Sequence, residues 1–475
     1  MASKSKFLDY EPISKPRHSN KPQGYGFEPD ATGASASDFE SKFNSDSRER
    51  VVGRERASNA HAPQLLKRGH AFTFAGLFLF TFLLFFRPYE LSPSLGWLTK
   101  GALVTAIATL VFFIPTQLGL ENRITVRIRE INLILLLLLL CLISVPLALD
   151  KALAFNSFIE YLKIVIMFVV AVNVLRTEKQ LKALLLLVLV ATSILSFSAI
   201  NDYRSGNLTL RGVRIEGVIG GLFENPNDLA LHFVTFFPII VVLALASRSL
   251  FGKLIYFTAA VSALGGTIVT FSRGGFLGLI FVIAVLVWRL GKRNILLVGV
   301  ISASLIFFLL IMAPVTYRNR MSTSGDASSE ARLGELKRSV FLTIRHPVFG
   351  VGMGNYILFS DREQATHNAY TQVAAEIGLA GALVYILFLI TTIRRVAKIP
   401  NPKDVDKKKR LLPYLAIGVQ ASLIGYMVSS FFASVAFVWY VYYLAAYGIC
   451  ISRLYQSSVA TESAPSLQRI NRYSA

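Results

Sequence analysis

Long apolar runs alternate with short polar connections along most of this chain. Wound into a helix, about 18 or more apolar residues match the hydrocarbon thickness of a bilayer. Twelve spans are predicted, at 70–87, 98–116, 131–149, 157–174, 183–200, 227–246, 253–270, 274–289, 295–312, 373–394, 411–430 and 434–452. The pair 253–270 and 274–289 has only FSRG at its join, which predicts a tight hairpin or a segment broken around a polar centre. Residues 72–86 continue as RPYE with no small-residue cleavage site, so the first span is expected to be retained. Polar sequence gathers in three places. Residues 1–68 lack periodicity and predict a disordered cytoplasmic tail. Residues 453–475 predict a second cytoplasmic tail, and residues 314–372 form the one long polar stretch between two spans.

Composition agrees with the pattern. Mean hydropathy is +0.54. Only 16% of residues are charged, against roughly 25% in a soluble chain. The fold class is therefore an all-α polytopic membrane protein, its transmembrane domain running over 70–452. Two cysteines, Cys141 and Cys450, both lie in apolar runs and supply neither a disulfide framework nor a zinc site.

The net charge of +21 does not point to nucleic acid, because no basic helix is interleaved with stacking residues. Lys and Arg instead gather in alternate short connections, as in Arg123, Arg127 and Arg129, or Arg176, Lys179 and Lys182. The connection before 411 carries eight, whereas 431–433 carries none and 150–156 only Lys151. The positive-inside rule then places both termini in the cytoplasm and residues 314–372 outside.

That orientation leaves several cations on the wrong side: Arg204, Arg211, Arg214, Arg273 and a cluster in 314–372 that includes Arg332. Arginine near hydrocarbon is costly unless it lines a polar cavity or binds an anion, and its planar fork suits phosphate oxygens. Outer carboxylates such as Asp202, Glu224, Asp326 and Glu335 are scattered, without HExxH or DxD. A diphosphate held by arginines, with no metal and no other cofactor, is the expectation. His367 falls six residues before the tenth predicted span, in THNAYTQVAAEIG. A neutral imidazole at a membrane–water boundary is a candidate general base. Asn368 and Gln372 are candidates to orient it or a sugar hydroxyl; helix capping is the plainer reading of the histidine. After His346, Gly350, Gly352 and Gly354 predict a tightly turning backbone, and His232 reads as a packed core histidine. Asn225, Asn227 and Asp228 in FENPNDLA can cap the sixth span, while Gly274 and Gly275 beside Arg273 let helices approach.

Taken in order, RxxG before NPN, SRGG at a short turn, and HPxxGxGxGN followed by HNxYxQxxxExGxxG resemble the O-antigen ligase family, which includes related polysaccharide polymerases. The resemblance covers about 70–450 and is densest over 211–381. It implies a GT-C-like glycosyltransferase of about twelve transmembrane helices in the bacterial inner membrane, with a periplasmic active site and a large periplasmic loop between spans nine and ten. The implied donor is an undecaprenyl-diphosphate-linked glycan, and the implied acceptor is lipid A-core for a ligase or a second lipid-linked glycan for a polymerase. His367 takes the implied base position; Arg214 and Arg273 are implied to hold the diphosphate. Arg211, Asn225, Asn227, Arg332, Asn368 and Gln372 complete the candidate substrate-binding set. Most of 314–372 is expected to be a mobile cover over donor and acceptor. The form of the His367 motif favours the ligase over the polymerase. A transporter of lipid-linked oligosaccharide is the rival from another class, but it should show an internal repeat and charges near the midplane, and neither is visible here.

Overall fold

The computed structural model describes residues 69–91, 93–207, 215, 217, 223, 225–291, 327–360 and 365–473. The predicted tail at 1–68, the ninth span at 295–312, and Arg211 and Arg214 lie outside them. No strand occurs among the described residues. The helices are α1 (Ala71–Phe86), α2 (Gly101–Glu121), α3 (Arg129–Leu147), α4 (Lys151–Val174), α5 (Glu178–Arg204) and α6 (Pro226–Ala246). Then come α7 (Leu250–Val269), α8 (Arg273–Leu290), α9 (Ala327–Arg345), α10 (Ala369–Ala397), α11 (Leu411–Ser429) and α12 (Trp439–Tyr473).

Ten of the helical stretches among the described residues are long and apolar enough to cross a membrane, which makes this a multi-pass membrane protein. They match the predicted spans one to eight, ten and eleven. The twelfth predicted span falls within α12, which is too rich in tyrosine to count by hydropathy yet is enclosed by α4, α10 and α11. Two of its buried hydroxyls find partners: Tyr442 Oη donates to Ala436 O at 2.7 Å, and Tyr443 Oη lies 2.8 Å from Thr81 Oγ1. Helix α12 also runs on to Tyr473, so the expected C-terminal tail begins as helix.

Half of these helices start at a side-chain cap that satisfies an otherwise orphaned amide. Asp150, Thr177, Asn225, Ser249, Ser272 and Asn368 do this for α4, α5, α6, α7, α8 and α10. Helix α6 is the centre of the bundle and packs on α7, α8 and α11.

Of the two forms expected at 253–289, a tight hairpin or a broken segment, the tight hairpin is not formed. Helices α7 and α8 barely touch, and each packs on α6 instead. Glycines explain the divergence. Gly266 of α7 sits against Phe233 of α6 and Ser196 of α5, while Gly275 of α8 sits against Ala230 of α6, so each helix makes its close approach to α6 and not to the other. Phe271 makes the turn in the left-handed region, with φ 50°.

The end of the bundle bearing the starts of α6, α8 and α10 differs from the opposite end. At that opposite end, Arg176 binds Glu121 and Gln117 (both 2.8 Å), and Gln117 also meets buried His70 at 3.0 Å. Glu130 accepts two hydrogen bonds from Arg395, each 2.7 Å. The short basic connections lie there too, in keeping with the charge pattern.

Residues 327–360 are folded rather than the expected mobile cover. Helix α10 is interrupted at Gly378, with φ 86° and ψ 177°. Leu379 N, which an intact helix would direct at Ala375 O, bonds Pro347 O at 2.8 Å. The freed carbonyls of Ala375 and Glu376 accept from Val351 N (2.8 Å) and Gly352 N (3.0 Å). The glycine loop 346–354 is thus stitched to the break, and Leu342, Val351, Tyr356 and Ala375 form a small core of their own. Asn355 carries the loop to the α3–α4 turn: Asp150 N donates to its Oδ1 at 2.7 Å, and its Nδ2 donates to Asp150 O at 3.1 Å.

A Cβ at Gly378 would run into the Val348 carbonyl at a backbone angle that L residues avoid. Gly378→Ala should lower stability by about 1–3 kcal/mol, the usual cost of a strained backbone. Gly119→Ala, on an open face of α2, should leave it unchanged or slightly raised. Thermal unfolding of the two variants in the same detergent checks this.

Candidate active site

Two groups of motif residues meet at one end of the bundle. The first is built from the starts of α6 and α8. Asn225 Oδ1 accepts from Asn227 N at 2.9 Å and from Asn227 Nδ2 at 3.1 Å. Ser272 Oγ caps α8 by accepting from Gly275 N at 3.3 Å and donates to Asn227 Oδ1 at 3.0 Å. The NPN and SRGG motifs therefore share a buried hydrogen bond. Arg273, the first residue of α8, is half-buried beside it.

The second group surrounds His367. Its backbone sits at φ 53°, uncommon for a residue with a Cβ and maintained only where the surroundings impose it. Those surroundings are present on both sides. Thr366 Oγ1 lies 3.0 Å from Ser434 Oγ and donates to Asn368 O at 2.9 Å. Asn368 Oδ1 accepts from Tyr370 N (2.9 Å) and Thr371 N (3.1 Å), capping α10. The helix begins two residues after His367, earlier than the hydrophobic pattern suggested, because Asn368 and not the first apolar run sets its start. The capping role considered for the histidine belongs to its neighbour. Asn368 Oδ1, a candidate sugar ligand, is occupied by that cap. Gln372 stands one turn further on, and its buried Oε1 has no hydrogen-bond partner among the described residues.

Helix α9 supplies the electrostatics. Burial lowers the His367 imidazole from its usual value, the charge of Arg332 lowers it further, and Glu335 opposes both. Glu335 is itself fixed: Tyr356 Oη donates to its Oε2 at 2.7 Å, Ser360 Oγ donates to its Oε1 at 3.0 Å, and Arg338 lies at 3.5 Å. Burial and this carboxylate raise the Tyr356 phenol.

The turn between α11 and α12 joins the two groups. Ser429 Oγ donates to Gly274 O at 3.1 Å, and Phe432 covers Gly274. On the other flank, Tyr370 Oη donates to Met427 O at 2.7 Å and accepts from Ser430 Oγ at 3.2 Å. The Tyr370 and Phe431 rings lie 4.5 Å apart, and Ser434 meets Thr366. Residues 429–434 thus contact the neighbours of both Arg273 and His367. Sequence reading missed this turn, along with Thr366 and Glu335. Its only signal was negative, a connection unusually short and free of charge. His232 is the packed residue expected, 3.0 Å from Thr192 Oγ1 and ringed by Phe223 and Phe236. His346 is exposed at the end of α9, outside both groups.

Fold and site together define a multi-pass helical membrane protein with a polar site at one end, where a half-buried arginine and a half-buried histidine flank a common turn. Residues 257–386 match the family model described as O-Antigen ligase, so that stretch is an O-antigen ligase family domain. The match contains the SRGG turn, Arg273, Arg332 and His367, and bears out the family resemblance of the motifs there. The NPN segment lies just N-terminal to it. A search of curated proteins found no match.

The Asn227–Ser272 bond should couple the two helix starts by about 0.5–1.5 kcal/mol, the usual net worth of such a bond. A double-mutant cycle with Asn227→Ala and Ser272→Ala, read by thermal or denaturant unfolding, measures it. Strict additivity would mean that the bond does not join the motifs energetically.

Proposed function

We propose that this protein is a periplasmic-face glycosyltransferase of the bacterial inner membrane that moves a glycan from an undecaprenyl diphosphate carrier to an acceptor hydroxyl. The observation that carries the reading is His367. Its imidazole is kept neutral by burial and by Arg332, and it lies with Arg273 inside the matched O-antigen ligase domain. Arg273, with Arg214 and with help from Arg211 or Arg332, holds the diphosphate oxygens and stabilises the charge that grows on them as the anomeric C–O bond breaks. The acceptor oxygen attacks the anomeric carbon from the opposite face and passes its proton to His367. The diphosphate leaves as the anion, and the configuration inverts in a single displacement. Gln372, with its unsatisfied oxygen, is suited to accept a hydrogen bond from a sugar or acceptor hydroxyl. No step requires a metal.

The reading favours the ligase, with lipid A-core as acceptor, over the polymerase, with a second lipid-linked glycan as acceptor. Deleting the gene in its host and separating surface polysaccharides by size distinguishes them. Long carrier-linked chains with none on lipid A support the ligase, whereas single repeats support the polymerase. Vesicles holding donor alone test the transporter, which would move lipid across the bilayer without transfer.

His367→Ala should reduce transfer by about 10²–10⁴-fold, the range for a lost general base. Arg273→Ala should reduce it by about 10²–10³-fold, and Arg273→Lys should restore little, since an ammonium lacks the fork. Wild-type transfer by folded His367→Ala protein would sink the mechanism.

A base must be unprotonated, and His367 titrates below the ordinary histidine value of about 6.5. The rate kcat/KM should therefore hold steady from pH 7 to about 6.5 and fall only at lower pH. The limb should be absent from the residual rate of His367→Ala. Over the same acidic window this group costs stability, because the unfolded chain takes up a proton that the folded one excludes.

A further inference from the structure

Helix α9 has two opposed faces. Glu335, Ser339, Leu342 and Thr343 are buried. That side packs on the start of α10, where Leu342 joins Val351 and Ala375. On the other side Leu333, Lys337, Val340 and Ile344 recur at helical spacing and are all exposed, Ile344 by 72%. Phe341 is exposed beside them, and Val348 and Phe349 extend the apolar surface past the helix end.

This surface continues onto a membrane span. The 2.8 Å bond from Leu379 N to Pro347 O sets Val348 next to the first residue of α10 beyond its break. From there Leu379, Leu383 and Leu387 repeat every fourth position and are exposed, forming one line along the outside of a bilayer-length helix. Lipid covers such a line. The patch on α9 is also edged with cations. Arg345 lies over the Phe341 ring at 4.5 Å, His346 follows it, and Lys337 stands within the apolar stripe. A lysine there can lay its four-carbon stem along apolar surface and raise its ammonium to phosphate level.

We propose that α9 is an interfacial helix that lies on the bilayer leaflet at the site end. Leu333, Val340, Phe341, Ile344, Val348 and Phe349 enter the boundary between headgroups and acyl chains, while Lys337 and Arg345 meet lipid phosphates. An apolar face with a basic edge has the composition of helices that lie in the plane of a membrane. Two features favour lipid over a second copy of this chain: continuity with the lipid-facing line of α10, and a cationic edge complementary to phosphate.

The test uses the full-length protein in vesicles of phosphatidylethanolamine and phosphatidylglycerol. Ile344→Cys and, separately, Val348→Cys carry a small fluorophore; Leu383→Cys serves as lipid reference and Lys408→Cys as water reference. All four positions are exposed, so the substitutions leave the core intact, and native Cys141 and Cys450 are buried away from the reagent. The expected result is loss of emission at 344 and 348 with brominated lipid, close to that at 383, with little loss to aqueous iodide. Iodide quenching like that at 408 would overturn the proposal. Protection from both quenchers would overturn it too, because protein and not lipid would then cover the face.

Discussion

A helix interrupted inside a membrane protein leaves backbone carbonyls that lipid cannot satisfy. At Gly378 that demand organises the His367 side of the site. The carbonyls of Ala375 and Glu376 are answered by amides of the glycine loop, and the Leu379 amide is answered by the loop's own carbonyl. The exchange needs left-handed backbone on both partners, supplied by Gly350 and Gly352 on the loop and by Gly378 on the helix. It locks 346–354 to the mouth of α10, and through Tyr356 it locks α9 as well. Arg332 and Glu335 then flank His367 because a helix is broken eleven residues further along.

The same logic separates the two ends of the bundle. The end away from the site is closed by charge pairs and amides that satisfy one another, with Arg176 bonded to both Glu121 and Gln117. At the site end, polar side chains serve as caps and bridges, and Gln372 retains an unmatched acceptor in a buried position. A cluster whose groups are all paired holds a fold together.

Much of this was legible in the chain. Spans one to eight, ten and eleven follow from apolar run length alone, since bilayer thickness is a one-dimensional constraint. The family resemblance over the matched segment follows from its spaced motifs. The glycines after His346 announced a turning backbone, and His232 announced a packed ring. What the pattern could not supply was pairing in space. Hydropathy does not register that α7 and α8 turn away from each other, because glycine contacts choose the neighbour. Nor does it show that Asn368, not His367, caps α10, because both are polar residues at the same boundary. The apolar residues of 314–372 are too few for a span, although enough for an amphipathic helix and, with Ala375 of α10, a four-residue core.

The six-residue turn 429–434 has a mechanical consequence. Gly274 on one flank and Thr366 on the other are each bonded to it, so two segments distant in sequence are measured from a single short datum. Thermal motion that displaces this datum carries both flanks in the same direction and largely cancels in their separation. The spacing of Gly274 and Thr366 is therefore referred to the same six residues, whatever the arrangement of the helices farther out.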